Sequence, residues 1–259
     1  MRNCKMSVPL IKPAKGMRSF EFEQSTYKFL DGVLPCRLLC CGASNSGKGI
    51  AVQSLILQVF RGQFQRVYYF SKTAGVDHTL EPIEKYVRKE LRVPEEEEWK
   101  FSERAPAVLA DLINQQKSII EYEKKHNFKK LHQILIVCDD FAGDEKIMRG
   151  KQGEALKELF LMGRHYGIST IVNIQKYRLA STVLRTQATM LMYFKARSQV
   201  DLDSFLEENS ALVPGGKKQL MEIYRAATSE QFGFLTVNMM TKDPSKIFMK
   251  SLHSYLVPS

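Results

Sequence analysis

The sequence predicts an α/β fold in which a mainly parallel central sheet carries helices on both faces. Short apolar segments that are typical of strands alternate with longer segments whose apolar residues recur at helical spacing. One strand-like segment, residues 133–139 ("QILIVCD"), is continuously apolar rather than alternating. This pattern is typical of a central parallel strand that is buried on both faces.

The elements follow from these patterns in chain order. The predicted strands are residues 36–41, 66–71, 133–139, 168–175, 190–196 and 232–239. The predicted helices are residues 48–60, 105–125, 153–166 and 217–227. Residues 93–99 ("VPEEEEW") are either a surface loop or the start of a helix, because acidic side chains favour a helix N-terminus. We expect residues 1–33 to be a basic segment that packs on or extends the core, and residues 34–259 to be one domain.

Charge indicates the class of partner. The chain has 259 residues, 44% of them hydrophobic, and a net charge of +10. Residues 1–20 contain basic side chains and no acidic ones, and residues 141–200 are also predominantly basic. Such an imbalance favours a polyanionic partner, although a charge run is also typical of an ordinary solvated face. Because neither a secretory signal nor a long apolar stretch is present, we expect an intracellular protein without membrane insertion.

The cysteines do not predict a metal site or a disulfide framework. There are five, an odd number, and none has C-x-x-C spacing. Three of them, Cys36, Cys40 and Cys41, lie on one strand-like segment, so we expect reduced thiols in the core. The five histidines likewise lack the spacing of metal ligands.

A glycine-rich loop connects the first predicted strand to the first predicted helix. Its sequence, "GASNSGKG", has the spacing G-x-x-x-x-G-K of a phosphate-binding loop. Backbone N–H groups of such a loop and the following helix N-terminus bind phosphate oxygens, and the lysine reaches the β- and γ-phosphates. The predicted nucleotide-binding residues are Gly42, Ala43, Ser44, Asn45, Ser46, Gly47, Lys48, Gly49 and Ile50.

The position after the lysine departs from this pattern. Gly49 stands where Ser or Thr normally provides a hydroxyl ligand to Mg²⁺. Ser44, Ser46, a water molecule or an acidic residue would have to replace that hydroxyl, unless the metal is held weakly.

A second motif lies about ninety residues further along the chain. The segment "ILIVCDDF" is an apolar strand that ends in two aspartates, the Walker B pattern. Asp139 is predicted to hold Mg²⁺ through water, and Asp140 to orient the attacking water. The alternative is an aspartate pair that caps the following turn.

A polar residue ends the next predicted strand. Gln175 closes the segment "GRHYGISTIVNIQ" and is predicted to contact the γ-phosphate or its water. The alternative is an amide that only bonds to the neighbouring backbone.

These motifs together resemble a known family. "GASNSGKG", "ILIVCDDF", "GRHYGISTIVNIQ", "LRTQATMLMYFKA" and "YRAATSEQFGFLTVN" follow one another as they do in viral genome-packaging ATPases of the FtsK/HerA superfamily, which occur in poxviruses and other large nucleocytoplasmic DNA viruses. The resemblance covers roughly residues 34–250. It implies a RecA-like P-loop (ASCE) ATPase core, with ATP and Mg²⁺ as cofactors. It also implies a homo-oligomeric ring, a pentamer or hexamer, that drives double-stranded DNA into a preformed capsid and contacts capsid portal or vertex proteins, in the host cytoplasm or the virion.

A ring motor also needs cations for the neighbour's γ-phosphate and for DNA. Arg185 is the first candidate for an arginine that acts in trans and Arg164 the second, although either could be a surface ion pair or a DNA contact. Three basic residues in the stretch "GDEKIMRGKQG" are predicted to contact DNA phosphates without sequence specificity: Lys146, Arg149 and Lys151. An ordinary solvated loop is the alternative.

Two other functions remain compatible with the sequence. One is a P-loop phosphotransferase that acts on a small acceptor. The other is a nucleotide-binding scaffold with weak hydrolysis, which the glycine at position 49 favours.

Overall fold

The computed structural model describes residues 20, 22–27, 32–102, 105–139 and 151–257. In this part of the chain a single sheet has nine strands in the spatial order β3-β2-β4-β5-β1-β6-β7-β8-β9. The strands are β1 Arg37–Cys41, β2 Arg66–Ser71, β3 Lys100–Phe101, β4 Ile134–Asp139, β5 Ile168–Ile174, β6 Met190–Phe194, β7 Phe234–Asn238, β8 Phe248–Lys250 and β9 Ser254–Tyr255. The strands β1 to β6 pair in parallel, and β7, β8 and β9 are added antiparallel.

Seven α-helices accompany the sheet in the described residues. They are α1 Lys48–Ser54, α2 Glu81–Lys89, α3 Ala105–Lys125, α4 Lys151–Met162, α5 Thr182–Gln187, α6 Gln199–Asn209 and α7 Gly216–Ala227. The helix α1 continues as a π-helical turn, Leu55–Val59, and α4 continues as a 3₁₀ turn, Gly163–Tyr166.

Apolar side chains bury both faces of the sheet, as predicted. On one face, strand residues such as Leu39, Ile136 and Val172 pack against helices α3 to α7. On the other face, alternate residues of the same strands, such as Leu38 and Val137, pack against α1 and α2. The mainly parallel sheet with helices on both faces is therefore confirmed.

The predicted elements agree with the structure except at their ends. All six predicted strands are present, and helix α3 has the predicted bounds of 105–125. The last predicted strand, residues 232–239, begins two residues too early, because β7 starts at Phe234. The segment 93–99 forms a loop and not the start of a helix.

Four of the five cysteines are buried, free thiols, as predicted: Cys36, Cys40, Cys41 and Cys138. Burial raises the pKa of Cys36, Cys40 and Cys138 to about 12, so these thiols stay neutral at physiological pH. Cys4 lies outside the described residues.

No helix among the described residues has the length and apolar character needed to cross a membrane.

Candidate nucleotide-binding site

The predicted loop connects the carboxyl end of β1 to the first turn of α1, where a phosphate-binding loop must lie. Two positions of the loop require glycine on steric grounds. A Cβ atom at Gly42 would come within 2.6 Å of the Phe194 Cβ atom and 2.7 Å of Ser46 Oγ. Gly47 has φ of 95°, in the left-handed region that side chains rarely adopt. The loop shape therefore depends on glycine at both predicted positions.

The Lys48 ammonium lies across this loop. Its Nζ atom donates hydrogen bonds to the carbonyl oxygens of Gly42, at 2.6 Å, and Ala43, at 3.0 Å. An anionic oxygen bound by the loop would compete with these carbonyl oxygens for the same protons, and a charged acceptor makes the stronger bond. Only a small movement of the Lys48 side chain would therefore bring its ammonium to a phosphate bound by the loop.

Asp139 ends β4 at the same edge of the sheet. Alternation along β4 places its side chain on the face that packs against α1, since Leu135 and Val137 belong to that core. The hydroxyl of Tyr69, on the neighbouring strand β2, donates to Asp139 Oδ2 at 2.9 Å. The carboxylate is therefore oriented by a buried phenol that sequence analysis did not single out.

One cavity of about 350 Å³ brings the predicted groups together. Residues 44–50 of the loop line it, together with Asp139, Gln175 and Tyr69. Gln175 follows β5, and β5 lies between the strands that carry the two motifs. Burial raises the pKa of the Cys40 thiol to about 12. The Lys48 ammonium lowers this pKa and the Asp139 carboxylate raises it, so both charged groups lie near Cys40.

Other predicted residues lie elsewhere. Arg185 is only 16% exposed and its Nε atom is 2.9 Å from Glu208 Oε2. Arg164 is exposed in the 3₁₀ turn that precedes β5, so it lies at the opposite edge of the parallel strands from Lys48. Three predicted residues lie outside the described residues, namely Asp140, Lys146 and Arg149. The side chain of Lys151 also lies outside the described part of the chain.

The structure adds functional candidates that the sequence reasoning missed. Arg197 follows β6 and its Nη2 atom donates to the carbonyl of Ser44 in the loop, at 3.2 Å. Asn173 lies between Asp139 and Cys40 in strand register, is fully buried, and its amide has no hydrogen-bond partner among the described residues. Both residues are polar and lie at or near the carboxyl end of a parallel strand, and this feature of the sequence could have identified them.

The residues around Asp139 fit a magnesium ion that arrives with a nucleotide. In the described part of the chain no three His, Cys, Asp or Glu side chains form a ready-made metal cage. Magnesium is commonly bound by one or two carboxylates together with substrate phosphates and water, so such a cage is not required. Ser46 Oγ is buried without a hydrogen-bond partner in the described residues, and a Cβ atom at Gly49 would meet open space.

The fold and the site together define a P-loop nucleotide-binding protein with a strand inserted between its two motif strands. More specifically, the chain belongs to the poxvirus A32 protein family, whose model matches residues 27–240. This match confirms the predicted relationship to a poxvirus family. No curated protein sequence matches the chain significantly.

Solved structures support the same fold. The genome packaging NTPase B204 from Sulfolobus turreted icosahedral virus 2, in complex with ATPγS, has a TM-score of 0.52 at 13% identity over 79% of this chain and 93% of that chain. B204, the DNA-packaging ATPase from Sulfolobus turreted icosahedral virus, has a TM-score of 0.51 at 14% identity over 83% and 96%. The cytoplasmic domain of the type VII secretion ATPase EccC from Thermomonospora curvata has a TM-score of 0.50 at 15% identity over 80% and 24%. The predicted P-loop ATPase fold is therefore confirmed.

Proposed function

We propose that this protein is an ATP-driven motor that moves double-stranded viral DNA into a preformed capsid. The observation that carries the proposal is the single cavity in which Lys48, Asp139 and Gln175 converge at the end of the parallel sheet. Membership of the poxvirus A32 family and the shared fold with B204, described as a DNA-packaging ATPase, support the same function.

Each predicted group has a defined task toward ATP. The loop amides and the N-terminus of α1 bind the phosphates, and Lys48 leaves the carbonyls of Gly42 and Ala43 to reach the β- and γ-phosphates. Asp139 would hold Mg²⁺, and the bound ion would supply positive charge to the phosphates. Asp140, the next residue in the chain, and Gln175 orient the attacking water.

A neighbouring subunit supplies the remaining positive charge in a ring of five or six copies. Arg164 is favoured by its exposure at the edge away from its own loop, because such a group can reach a neighbour. Arg185, the first choice from sequence, would have to release Glu208 before it could act in trans. In a closed, desolvated site, a cation beside the γ-phosphate stabilises the charge that develops on it.

DNA, capsid proteins and the basic N-terminal region complete the proposal. Lys146, Arg149 and Lys151 contact backbone phosphates, while portal or vertex proteins of the capsid hold the ring in the viral factory or the virion. We also propose that the N-terminal region packs on the core of a single domain, residues 34–259, and of this region the structure describes residues 20, 22–27, 32 and 33. Hydrogen bonds from Gln24 to the Leu34 carbonyl, at 2.8 Å, and from Ser25 to the Val59 carbonyl, at 2.9 Å, support this packing.

ATP turnover measured with and without linear duplex DNA tests the function. We expect duplex DNA to stimulate turnover severalfold and to do so equally for two duplexes of unrelated sequence, because backbone contacts carry no sequence information. The logarithm of the DNA association constant should fall linearly with the logarithm of salt concentration, since each contacted phosphate releases counterions. Turnover that requires a small acceptor would instead indicate a phosphotransferase, and nucleotide binding without turnover would indicate a scaffold.

Gly49→Thr tests how the site manages without the usual hydroxyl. A Cβ atom fits at this position, so we expect the variant to fold. The added hydroxyl should lower the Mg²⁺ concentration for half-maximal turnover about tenfold relative to the wild type, which is the size of effect that groups around metal ligands have on metal affinity. Gly49→Val has the same shape without the hydroxyl and should not show this shift. If threonine and valine give the same Mg²⁺ titration, another group such as Ser46 already fills the role.

A further inference from the structure

An apolar groove lies beside the phosphate loop and is distinct from the polar cavity that contains Lys48. This Phe232 groove, of about 490 Å³, is lined mainly by carbon atoms of Gly47, Ile50, Phe194, Phe232, Phe234 and Leu252. The rings of Phe194 and Phe234 lie 4.6 Å apart and form its buried wall. The groove is of the size and character of a site for a small ligand.

Phe232 is unusual in both its exposure and its backbone. Its side chain is 59% exposed, although a large aromatic group gains most from burial. Its φ is 63°, in the left-handed region, which is a strained conformation for a residue other than glycine. An exposed ring held in such a conformation, and in contact with the open groove, is typical of a ligand-binding position.

The groove is continuous with the phosphate site. Gly47 and Ile50 line both cavities, and a Cβ atom at Gly47 would lie only 3.3 Å from the Phe232 Cβ atom. The proposed roles of Asp139 and Gln175 place the γ-phosphate beside these two residues. Because Gly47 and Ile50 line the polar cavity as well as the groove, a triphosphate bound in this way can extend past Ile50 toward the groove.

We propose that the Phe232 groove binds the base of the nucleotide and that the base stacks on the face of the Phe232 ring. This inference rests on the proposed binding of a nucleoside triphosphate by the loop. It assigns Phe232 a role in specificity, because a phosphate loop alone does not distinguish one nucleotide from another.

The lining of the groove also predicts how selective the site is. Two polar atoms near its rim already have partners: the Ser251 carbonyl accepts from Thr236 Oγ1 at 2.5 Å, and His253 Nδ1 lies 3.2 Å from Ser254 Oγ. A base held by stacking between carbon atoms is not read by its hydrogen-bonding edge. The site therefore accepts adenine and guanine alike, in contrast to sites built to hydrogen-bond a substrate, which discriminate by about 10⁴-fold or more.

Phe232→Gly provides a sharp test, because glycine adopts the left-handed backbone without strain and the fold should be retained. Binding of ATP, GTP and inorganic tripolyphosphate is measured by calorimetry on the full chain. We expect the variant to bind ATP and GTP about tenfold more weakly while its affinity for tripolyphosphate is unchanged. Phe232→Trp should preserve nucleotide affinity. Phe128→Gly, at a 48% exposed phenylalanine remote from the groove, is the matched control and should change none of the three affinities.

Each outcome separates this inference from the proposed function. A ratio of ATP affinity to tripolyphosphate affinity that is the same in Phe232→Gly and the wild type would overturn the base site. A preference of the wild type for ATP over GTP greater than about 100-fold would overturn the stacking-only interpretation. Failure of the wild type to bind tripolyphosphate at all would instead count against the phosphate loop, and hence against the proposed function.

Discussion

Replacing Lys48 by alanine is expected to lower kcat/KM for ATP hydrolysis by at least about 100-fold, the usual loss when one group that stabilises transition-state charge is removed. The physical reason is the position of the ammonium, which already lies over the loop through its bonds to Gly42 and Ala43. Within the described residues that line the loop cavity, Lys48 is the one cationic side chain. Loss of this charge leaves the γ-phosphate without its nearest positive partner in the same subunit.

The measurement is steady-state turnover at saturating Mg²⁺, with a thermal melt to show that the variant is folded. Lys218→Ala is the matched control, because Lys218 is an exposed lysine of α7 and does not line the loop cavity. It removes the same charge and should leave turnover unchanged. Lys48→Ala enzyme that hydrolyses ATP at nearly the wild-type rate would contradict the assignment of the phosphate loop.

The loop and the motif strands could be predicted because they depend on local sequence. Glycine spacing, a preceding apolar strand and a following helix are all encoded within residues 36–60. The position of Asp139 beside the loop follows from strand order, and the motifs of the resemblance supplied that order. The loop prediction therefore needed no information about distant segments, whereas the strand pairing that places Asp139 came from the resemblance.

Other parts of the site depend on packing between segments that are far apart in the chain. Tyr69 orients Asp139 only because β2 pairs with β4, and nothing within "RVYYFS" indicates that partner. Arg197 reaches Ser44 across 153 positions of sequence. Such contacts are set by sheet order and twist rather than by local propensity.

The start of β7 shows how a local preference misleads. Phe232 has high strand propensity, so the sequence places it in a strand. A Cβ atom at the following residue, Gly233, would lie 2.8 Å from the Ala227 carbonyl oxygen, so the chain passes close to the end of α7 and turns there. The strand consequently begins only at Phe234, which leaves the Phe232 ring exposed beside the loop.

Asp139→Asn is expected to reduce Mg²⁺-dependent turnover by at least about 100-fold. The substitution removes the negative charge that would hold the ion, and metal stabilisation of the transferring phosphate contributes several kcal/mol, with each 1.36 kcal/mol equal to about a factor of ten in rate. The asparagine side-chain oxygen can still accept the Tyr69 hydroxyl, so the buried contact that now measures 2.9 Å is retained and the fold should be stable. Nucleotide binding in the presence of EDTA should not change.

Tyr69→Phe separates the charge of Asp139 from its orientation. This variant keeps the carboxylate but removes the hydrogen bond that aligns Oδ2, so we expect half-maximal turnover to need about tenfold more Mg²⁺, with a smaller loss of kcat than in Asp139→Asn. The measurement is a Mg²⁺ titration of turnover for both variants, with Asp111→Asn, at an exposed aspartate of α3, as the control. Two carboxylates among the described residues line the cavity, those of Asp139 and Asp77. Wild-type Mg²⁺ dependence in Asp139→Asn would therefore mean that the ion is held by Asp77 or by a residue outside the described range. The assignment of Asp139 as the metal-holding group would then be wrong, and an effect seen only in Tyr69→Phe would have to arise independently of the Asp139 carboxylate.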